Sequence, residues 1–319
     1  MEGKKVLVTG CTGTIGCALT LHLAETGNEV HGVSTMRTES AREKLEAADI
    51  PLWKKDLTCE ALDDMPDDFE FVFHECVEWG HYDEDTTEDK ELVYWTNPAA
   101  VGRVMLRWPK ARYVLGSTGG LYAWSSVPLD ETAPTVVKGT YHSGKFAMEQ
   151  MGKFLSVEFE IPATILRYYW PRSSFEAVAS EMVRAVVEGT PVKDSLHDPW
   201  TYTPLDMRDV CCYTERAVEA AGIPPTRLNC GGAEVVSKKG LLEIAGQVLG
   251  KEPVIADREP RVKRAIGDSR KLYGLYGEPR HRITEYVRRL AEEVKAKGPE
   301  ILGEGMSNIN WGDSGADRK

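Results

Sequence analysis

The chain is 319 residues long, 42% hydrophobic and 28% charged, with a formal net charge of −11. Such a composition excludes extended disorder, and no apolar run approaches the roughly 20 residues of a membrane span. The acidic balance argues against a nucleic-acid partner, because phosphate binding draws on a basic surface.

In chain order, Met-Glu-Gly-Lys-Lys leads straight into an apolar strand over 4–9 and lacks the apolar segment of a signal peptide, so a cytoplasmic protein is expected. Residues 14–26 (TIGCALTLHLAET) carry apolar positions at helical spacing, Gly27-Asn28 is a helix stop, and Val30 to Val33 read as a second strand. A helix over 38–48, a short strand over 51–54 and a strand over 69–76 (FEFVFHEC) follow. The acidic run of Asp83, Glu84, Asp85, Glu88 and Asp89 reads as a solvated loop and helix start, ahead of a helix over 90–107. Arg112 to Gly116 predicts a strand, 142–158 a helix, and Ala163 to Arg167 a further strand. This alternation predicts an α/β domain over 1–170, its parallel sheet covered by helices on both faces. Beyond Trp170-Pro171, helices over 173–188, 208–221, 237–249 and 283–297 are separated by short extended pieces. They predict a smaller, mixed α/β C-terminal substrate domain over 171–299, some of its segments returning to the first domain. Residues 300–319 are glycine-rich and polar and are expected to form a mobile tail.

The seven cysteines (Cys11, Cys17, Cys59, Cys76, Cys211, Cys212 and Cys230) are scattered and show no CxxC pair or metal-ligand spacing with histidine. They read as small buried residues in a reducing compartment, and no metal site is expected.

VTGCTGTIG (8–16) closes the first strand and opens the first helix. In that setting Gly10 makes the tight turn, Gly13 lets a pyrophosphate reach the backbone, and Gly16 lets helix pack on strand. The N–H groups at the helix start then hold the phosphates, so a Rossmann-type, doubly wound sheet binding a dinucleotide is expected, with Thr12, Thr14 and Ile15 in the same turn. A carboxylate at the end of the second strand would bond the ribose 2′-hydroxyl of NAD and repel a 2′-phosphate. Here the strand ends Val33-Ser34-Thr35-Met36-Arg37, without an acid, and Glu29 lies at its wrong end. Ser34, Thr35 and Arg37 therefore favour NADP(H) over NAD(H), Arg37 through charge-assisted bonds to phosphate.

TYHSGKFAMEQ places Tyr141 and Lys145 one turn apart on one helix face, after a strand ending LGSTGGLY. At this point the chain resembles the extended short-chain dehydrogenase/reductase family, which includes NAD-dependent epimerases and dehydratases. The matching pieces are VTGCTGTIG, Asp56-Leu57, FVFHEC (71–76), Thr96-Asn97, GSTGGLY (116–122), YHSGK (141–145), ILR (165–167) and GDSRKLYGLYGEP (267–279). The resemblance covers residues 4–297. It implies that Tyr141 exchanges a proton with a substrate hydroxyl or carbonyl while hydride moves to or from nicotinamide, and that Lys145 favours the phenolate and bonds the nicotinamide ribose. It also implies Thr118, with Ser117 as second choice, as holder of the substrate oxygen. Asp56 and Leu57 would meet the adenine, Cys76 the adenosine side of the cleft, and Asn97 would sit near the cofactor. On the residues alone, an asparagine before Pro98 is equally a helix cap.

Three departures narrow the chemistry. Gly119 and Gly120 stand where the 4,6-dehydratase branch carries an Asp-Glu pair. Arg167-Tyr168-Tyr169-Trp170-Pro171 lacks the asparagine usual in nucleotide-sugar enzymes, and 200–206 lacks the basic residue that grips a diphosphate. Instead, Trp79, Tyr82, Tyr122, Trp124, Tyr169 and Trp170, with Thr118 and Gly119, are candidates for walling a ring-shaped or apolar small-molecule substrate. A carbonyl/alcohol substrate other than a nucleotide sugar is expected for an NAD(P)-dependent oxidoreductase. A sugar epimerase with transient oxidation and a non-catalytic dinucleotide-sensing regulator are the alternatives. Helices 90–107 and 142–158 are candidates for a homodimer face, the latter through Ala147, Met148, Met151, Phe154 and Leu155.

Overall fold

In a computed structural model the described residues are 1–78, 87–172, 174–257 and 266–302. In chain order the elements are β1 (Lys5–Thr9), α1 (Thr14–Glu25), β2 (Glu29–Ser34), α2 (Glu39–Ala47), β3 (Leu52–Lys54), β4 (Phe71–His74), α3 (Thr87–Arg107) and β5 (Arg112–Thr118). There follow α4 (Thr140–Glu158), β6 (Ala163–Tyr168), β7 (Pro171–Arg172), α5 (Phe175–Glu188), β8 (Val192–Asp194), β9 (Leu205–Asp206) and α6 (Met207–Arg216). The series ends with β10 (Thr226–Cys230), α7 (Lys238–Leu249), β11 (Ile255–Asp257), α8 (Arg270–Tyr276) and α9 (Ile283–Lys297).

Seven strands form one parallel sheet in the order β10-β6-β5-β4-β1-β2-β3. The order reverses between β1 and β4, the switch point beyond which open α/β sheets take their ligands. Val6, Leu7 and Val8 of β1 are fully buried, as are Val72, Phe73, Val114 and Leu115. Strands covered on both faces require such unbroken apolar runs. Trp108 is enclosed at the end of α3, its indole N–H donating to the Pro66 carbonyl at 2.7 Å.

The chain divides into two compact units. The first comprises 1–123, 133–168 and 210–230, and holds the seven-stranded sheet. The second contains 124–132, 169–209 and the described residues from 231 onward. Its core joins α5, α7 and α9 through Phe175, Met182, Leu241, Leu242 and Val287. Buried Asp194 accepts from the backbone N–H of Ser195, Trp200 and Lys239 at 2.8–3.2 Å, and Asp206 accepts from Phe175 N at 2.9 Å, pinning the start of α5. Of the expected tail over 300–319, residues 300–302 belong to a 3₁₀ turn that starts at Pro299, and 303–319 lie outside the described residues. No helix of the described residues is long and apolar enough to cross a membrane.

Candidate active site

The glycine turn follows β1. Gly10 adopts φ +67°, and a Cβ there would lie 2.8 Å from the Cys76 backbone N and Cα. A Cβ on Gly16 would overlap the Gly10 carbonyl oxygen. Both positions therefore demand glycine, one for its left-handed backbone and one for close packing. Gly13 is the N-cap of α1, no side chain caps the first turn, and Gly13 and Thr14 are exposed. An uncapped helix start behind a side-chain-free turn fits a dinucleotide pyrophosphate. Ile15 is half-buried, and Thr12 is buried with its hydroxyl 2.9 Å from that of Ser34.

At the end of β2, Ser34 also accepts from Met36 N at 3.0 Å, so its hydroxyl ties the turn together. Thr35 and Arg37 are exposed, and the Arg37 guanidinium donates to Glu78 at 3.0 Å. A hollow of about 470 Å³ opens beside them, lined by Met36, Arg37, Glu39, Arg42, Glu46, Leu52 and Lys54. Arg42 and Lys54 were not singled out in the sequence, because α2 and β3 come alongside Arg37 only once the sheet forms. Asp56 turns its carboxylate onto the Thr58 N–H and hydroxyl, at 2.8 and 2.6 Å, and these bonds hold its pKa below the usual carboxylate value. Leu57 is buried in the core beside the sheet, and Cys76 contributes the backbone that meets Gly10.

Asn97 is not a helix cap: it lies inside α3. Its side chain accepts from Glu78 N at 3.0 Å and donates to the carbonyls of Glu78 and Val93, at 3.1 and 3.2 Å, fixing the segment after β4.

Strand β5 carries Ser117 and Thr118 and receives Lys145 of α4 at Gly116. Successive strand residues face opposite ways. Ser117 accordingly points into the core, donating to Glu149 at 2.5 Å, while Thr118 sits half-buried at the strand end and accepts from Gly120 N at 3.1 Å. Tyr141 occupies the first turn of α4, half-buried, its ring 5.2 Å from that of His142. One turn on, Lys145 is buried and donates to the Gly116 carbonyl at 2.7 Å. Burial pulls the Lys145 ammonium down, while the Glu75 and Glu149 carboxyls hold it up, Glu75 the more strongly.

Three neighbours escaped the sequence reading. His142 donates from Nδ1 to the Lys138 carbonyl, 2.7 Å away, and lies against Gly120, where a Cβ would sit 2.7 Å from its ring carbon; burial lowers its pKa. Glu149 receives a bidentate Arg167 at 2.9 and 2.6 Å, both residues being buried. Glu75, next to His74, is buried at the end of β4; burial pushes its carboxyl up to about 7, against the opposing Lys145 charge and the Tyr168 hydrogen bond. The last was signalled by an acid inside FEFVFHEC, otherwise apolar at the strand end.

The aromatic candidates separate. Tyr122 is buried, donating to Asn229 at 3.0 Å with Arg167 stacked 4.7 Å from its ring, and Gly119 is buried in the turn before it. In the second unit, Tyr169 is buried against Gly267, Trp170 packs edge-on to Trp200 at 4.8 Å, and Trp124 is exposed. Tyr122 and Tyr169 are thus committed to packing. Trp79 and Tyr82 lie outside the described residues. Among the described residues no cluster of His, Cys, Asp and Glu could hold a metal ion.

A glycine-rich strand-to-helix turn, a parallel sheet with its switch point there and a Tyr-Lys pair beside β5 define a dinucleotide-binding enzyme. Over residues 6–199 the chain matches the model of the NAD dependent epimerase/dehydratase family, and it belongs to that family. Among solved structures, it resembles the UDP-glucuronic acid 4-epimerase of Bacillus cereus, in complex with UDP-glucuronic acid and NAD, at TM-score 0.73 and 18% identity, covering 93% of this chain and 99% of that one. It likewise resembles the UDP-N-acetylglucosamine 4-epimerase of Methanobrevibacter ruminantium M1, at TM-score 0.75 and 17% identity, covering 92% and 98%. At such identities the likeness shows the fold. No curated protein matches.

Proposed function

We propose that the protein is an NADP(H)-linked oxidoreductase acting on a carbonyl or alcohol, with Tyr141 as proton donor and acceptor. The supporting observation is the buried Lys145 ammonium, 2.7 Å from the Gly116 carbonyl, one turn after Tyr141 and two strand residues before Thr118. When bound, the nicotinamide supplies or accepts the hydride. In carbonyl reduction Tyr141 Oη gives its proton to the substrate oxygen, which becomes the product hydroxyl, and Thr118 Oγ1 orients that oxygen. The adjacent Lys145 charge stabilises the phenolate left behind. In alcohol oxidation each step reverses. The hollow beside Arg37, with Arg42 and Lys54, and the absence of an acid at the end of β2 support NADP(H).

A sugar 4-epimerase is the second reading, favoured by the structural neighbours, which are UDP-sugar 4-epimerases. It uses the same tyrosine and lysine but returns the hydride, so cofactor is not consumed. The departure at Gly119-Gly120 supports a reaction other than dehydration, and those over 167–171 and 200–206 support a substrate without a nucleotide. We also propose a homodimer formed through α3 and α4, which expose Leu92, Trp95, Leu106, Met151, Phe154 and Val157, whereas Met148 and Leu155 belong to the core.

A screen of carbonyl compounds, sugars and UDP-sugars with NADPH and NADH, followed at the nicotinamide absorbance band, tests the reading. Net NADPH oxidation that disappears in Tyr141→Phe, with NADPH binding retained, is expected. Undiminished turnover in that variant overturns the mechanism, and micromolar competitive inhibition by UDP overturns the substrate class.

A further inference from the structure

Lys145 is a buried cation that needs a counter-charge. Glu149, on the same helix, is already held by both hydrogen bonds of Arg167 and by Ser117. The Cys76 thiol is pushed up to about 11 by burial, and His74 is pushed down to about 3 by burial and by Lys145, so neither supplies an anion. Glu75 remains. Its carboxyl meets Lys145 at one residue: a Cβ on Gly116 would lie 2.7 Å from the Glu75 carboxyl carbon, and the Gly116 carbonyl receives the Lys145 ammonium.

A chain of hydroxyls holds that carboxyl. Tyr168 Oη lies 2.8 Å from Glu75 Oε1 and 2.9 Å from Thr214 Oγ1, which donates to the Val210 carbonyl at 2.7 Å. Counting hydrogens, a protonated Glu75 gives to Tyr168, Tyr168 to Thr214 and Thr214 to Val210, so every bond is filled. With Glu75 ionised, Tyr168 turns its proton to the carboxylate. The Tyr168–Thr214 contact then holds no hydrogen while Thr214 donates to Val210, so the ionised state keeps two of the three bonds and the protonated state all three.

We propose that Glu75 is a positioning residue for Lys145, the buried counter-charge that keeps the ammonium charged and seated on the Gly116 carbonyl. This rests on the assignment of Tyr141 and Lys145 above. The groups around the pair are His74 and Cys76 on β4, Thr9 on β1, Ser117 on β5, Arg167 and Tyr168 on β6, Glu149 on α4, Thr214 on α6 and Cys230 on β10. Glu75 is the largest of the neighbouring charges that raise Lys145. With its own carboxyl near 7, it is ionised above that pH.

The test is the titration of Lys145 in cofactor-free protein, by NMR of 13Cε-labelled lysine, with the resonance assigned by its loss in Lys145→Arg. Glu75→Gln is expected to lower the Lys145 pKa by at least one unit, and Glu75→Asp to restore at least half of the shift. In the same variant, the alkaline limb of kcat/KM with NADPH and an active carbonyl from the screen moves to lower pH by at least one unit. Lost packing would lower the profile without moving that limb. A Lys145 pKa unchanged within 0.2 units in Glu75→Gln, or left equally low by Glu75→Asp, overturns the proposal while leaving the role of Tyr141 standing. A shifted Lys145 in a protein whose Tyr141→Phe variant turns over normally upholds the counter-charge and overturns only the mechanism. Should Glu75→Gln fail to fold, Glu75→Leu, which also removes the charge, is read the same way: a Lys145 pKa unmoved there overturns the proposal.

Discussion

Replacing Glu75 by Gln removes one of two adjacent buried groups whose effects on folding oppose each other. Burial raises the Glu75 carboxyl from 4.5 to about 7, so between those values the folded protein carries a proton that the unfolded chain has lost. Its contribution is complete below pH 4.5 and is lost as pH rises through 7; 2.5 units amount to about 3 kcal/mol. His74, hydrogen-bonded to Thr9 at 2.9 Å, is lowered from 6.5 to about 3 by burial and by Lys145. Its contribution is complete above pH 6.5 and is lost as pH falls through 3. Between pH 4.5 and 6.5 the two slopes, each about 1.4 kcal/mol per pH unit, cancel. Glu75→Gln leaves the histidine slope unopposed. The difference in unfolding free energy, wild type minus variant, should therefore fall by about 3 kcal/mol from pH 4.5 to 7.5. Urea unfolding followed by tryptophan fluorescence at one-unit intervals measures it, and the carboxylates common to both proteins drop out of the difference. A difference constant to within about 0.5 kcal/mol across that range would refute the assignment of a raised carboxyl.

Three other perturbations follow from the same coordinates. Glu149→Ala strands the Arg167 guanidinium in the core and should cost about 3–5 kcal/mol in urea unfolding, whereas a loss below about 1 would show the pair to be replaceable. Arg37→Glu puts a like charge beside the hollow at the end of β2 and should weaken NADPH at least tenfold by fluorescence titration, with NADH affected less than threefold; equal losses would count against the 2′-phosphate reading. Phe154→Glu, on a side chain 59% exposed, should convert a dimer to a monomer by light scattering, and a monomeric wild type would remove the basis for an interface there.

The sheet was legible because β1, β4, β5 and β6 are buried on both faces and read as unbroken apolar runs, and because the glycine turn is tied to one strand–helix junction. The two-residue strands β7 and β9 carry no pattern to read. Strand alternation sends the Ser117 and Thr118 hydroxyls to opposite faces, Ser117 onto Glu149. Tyr122 and Tyr169 show the limit of composition: an aromatic at a strand end looks the same in sequence whether it walls a ligand or fills a core, and here its partners, Asn229 and Gly267, are more than ninety residues away. Before its proline, Asn97 reads in sequence equally as a neighbour of the cofactor and as a helix cap, and α3 excludes the cap by continuing through Pro98. Glu75 was overlooked for the same reason, since Tyr168, Thr214 and Lys145 reach it only through the pairing of β4, β5 and β6.

The position of Glu75 also explains why a costly residue stands where an apolar one would pack. Above pH 7 its ionised form lowers the stability of the fold, yet that form alone can balance Lys145, because Glu149 is bound to Arg167. Two buried cations, Lys145 and Arg167, face two buried carboxyls, and charge is balanced only when Glu75 is ionised. An apolar residue at 75 would stabilise the folded chain at alkaline pH while removing the proposed counter-charge of Lys145, so on that proposal the stability lost there is coupled to holding the ammonium charged.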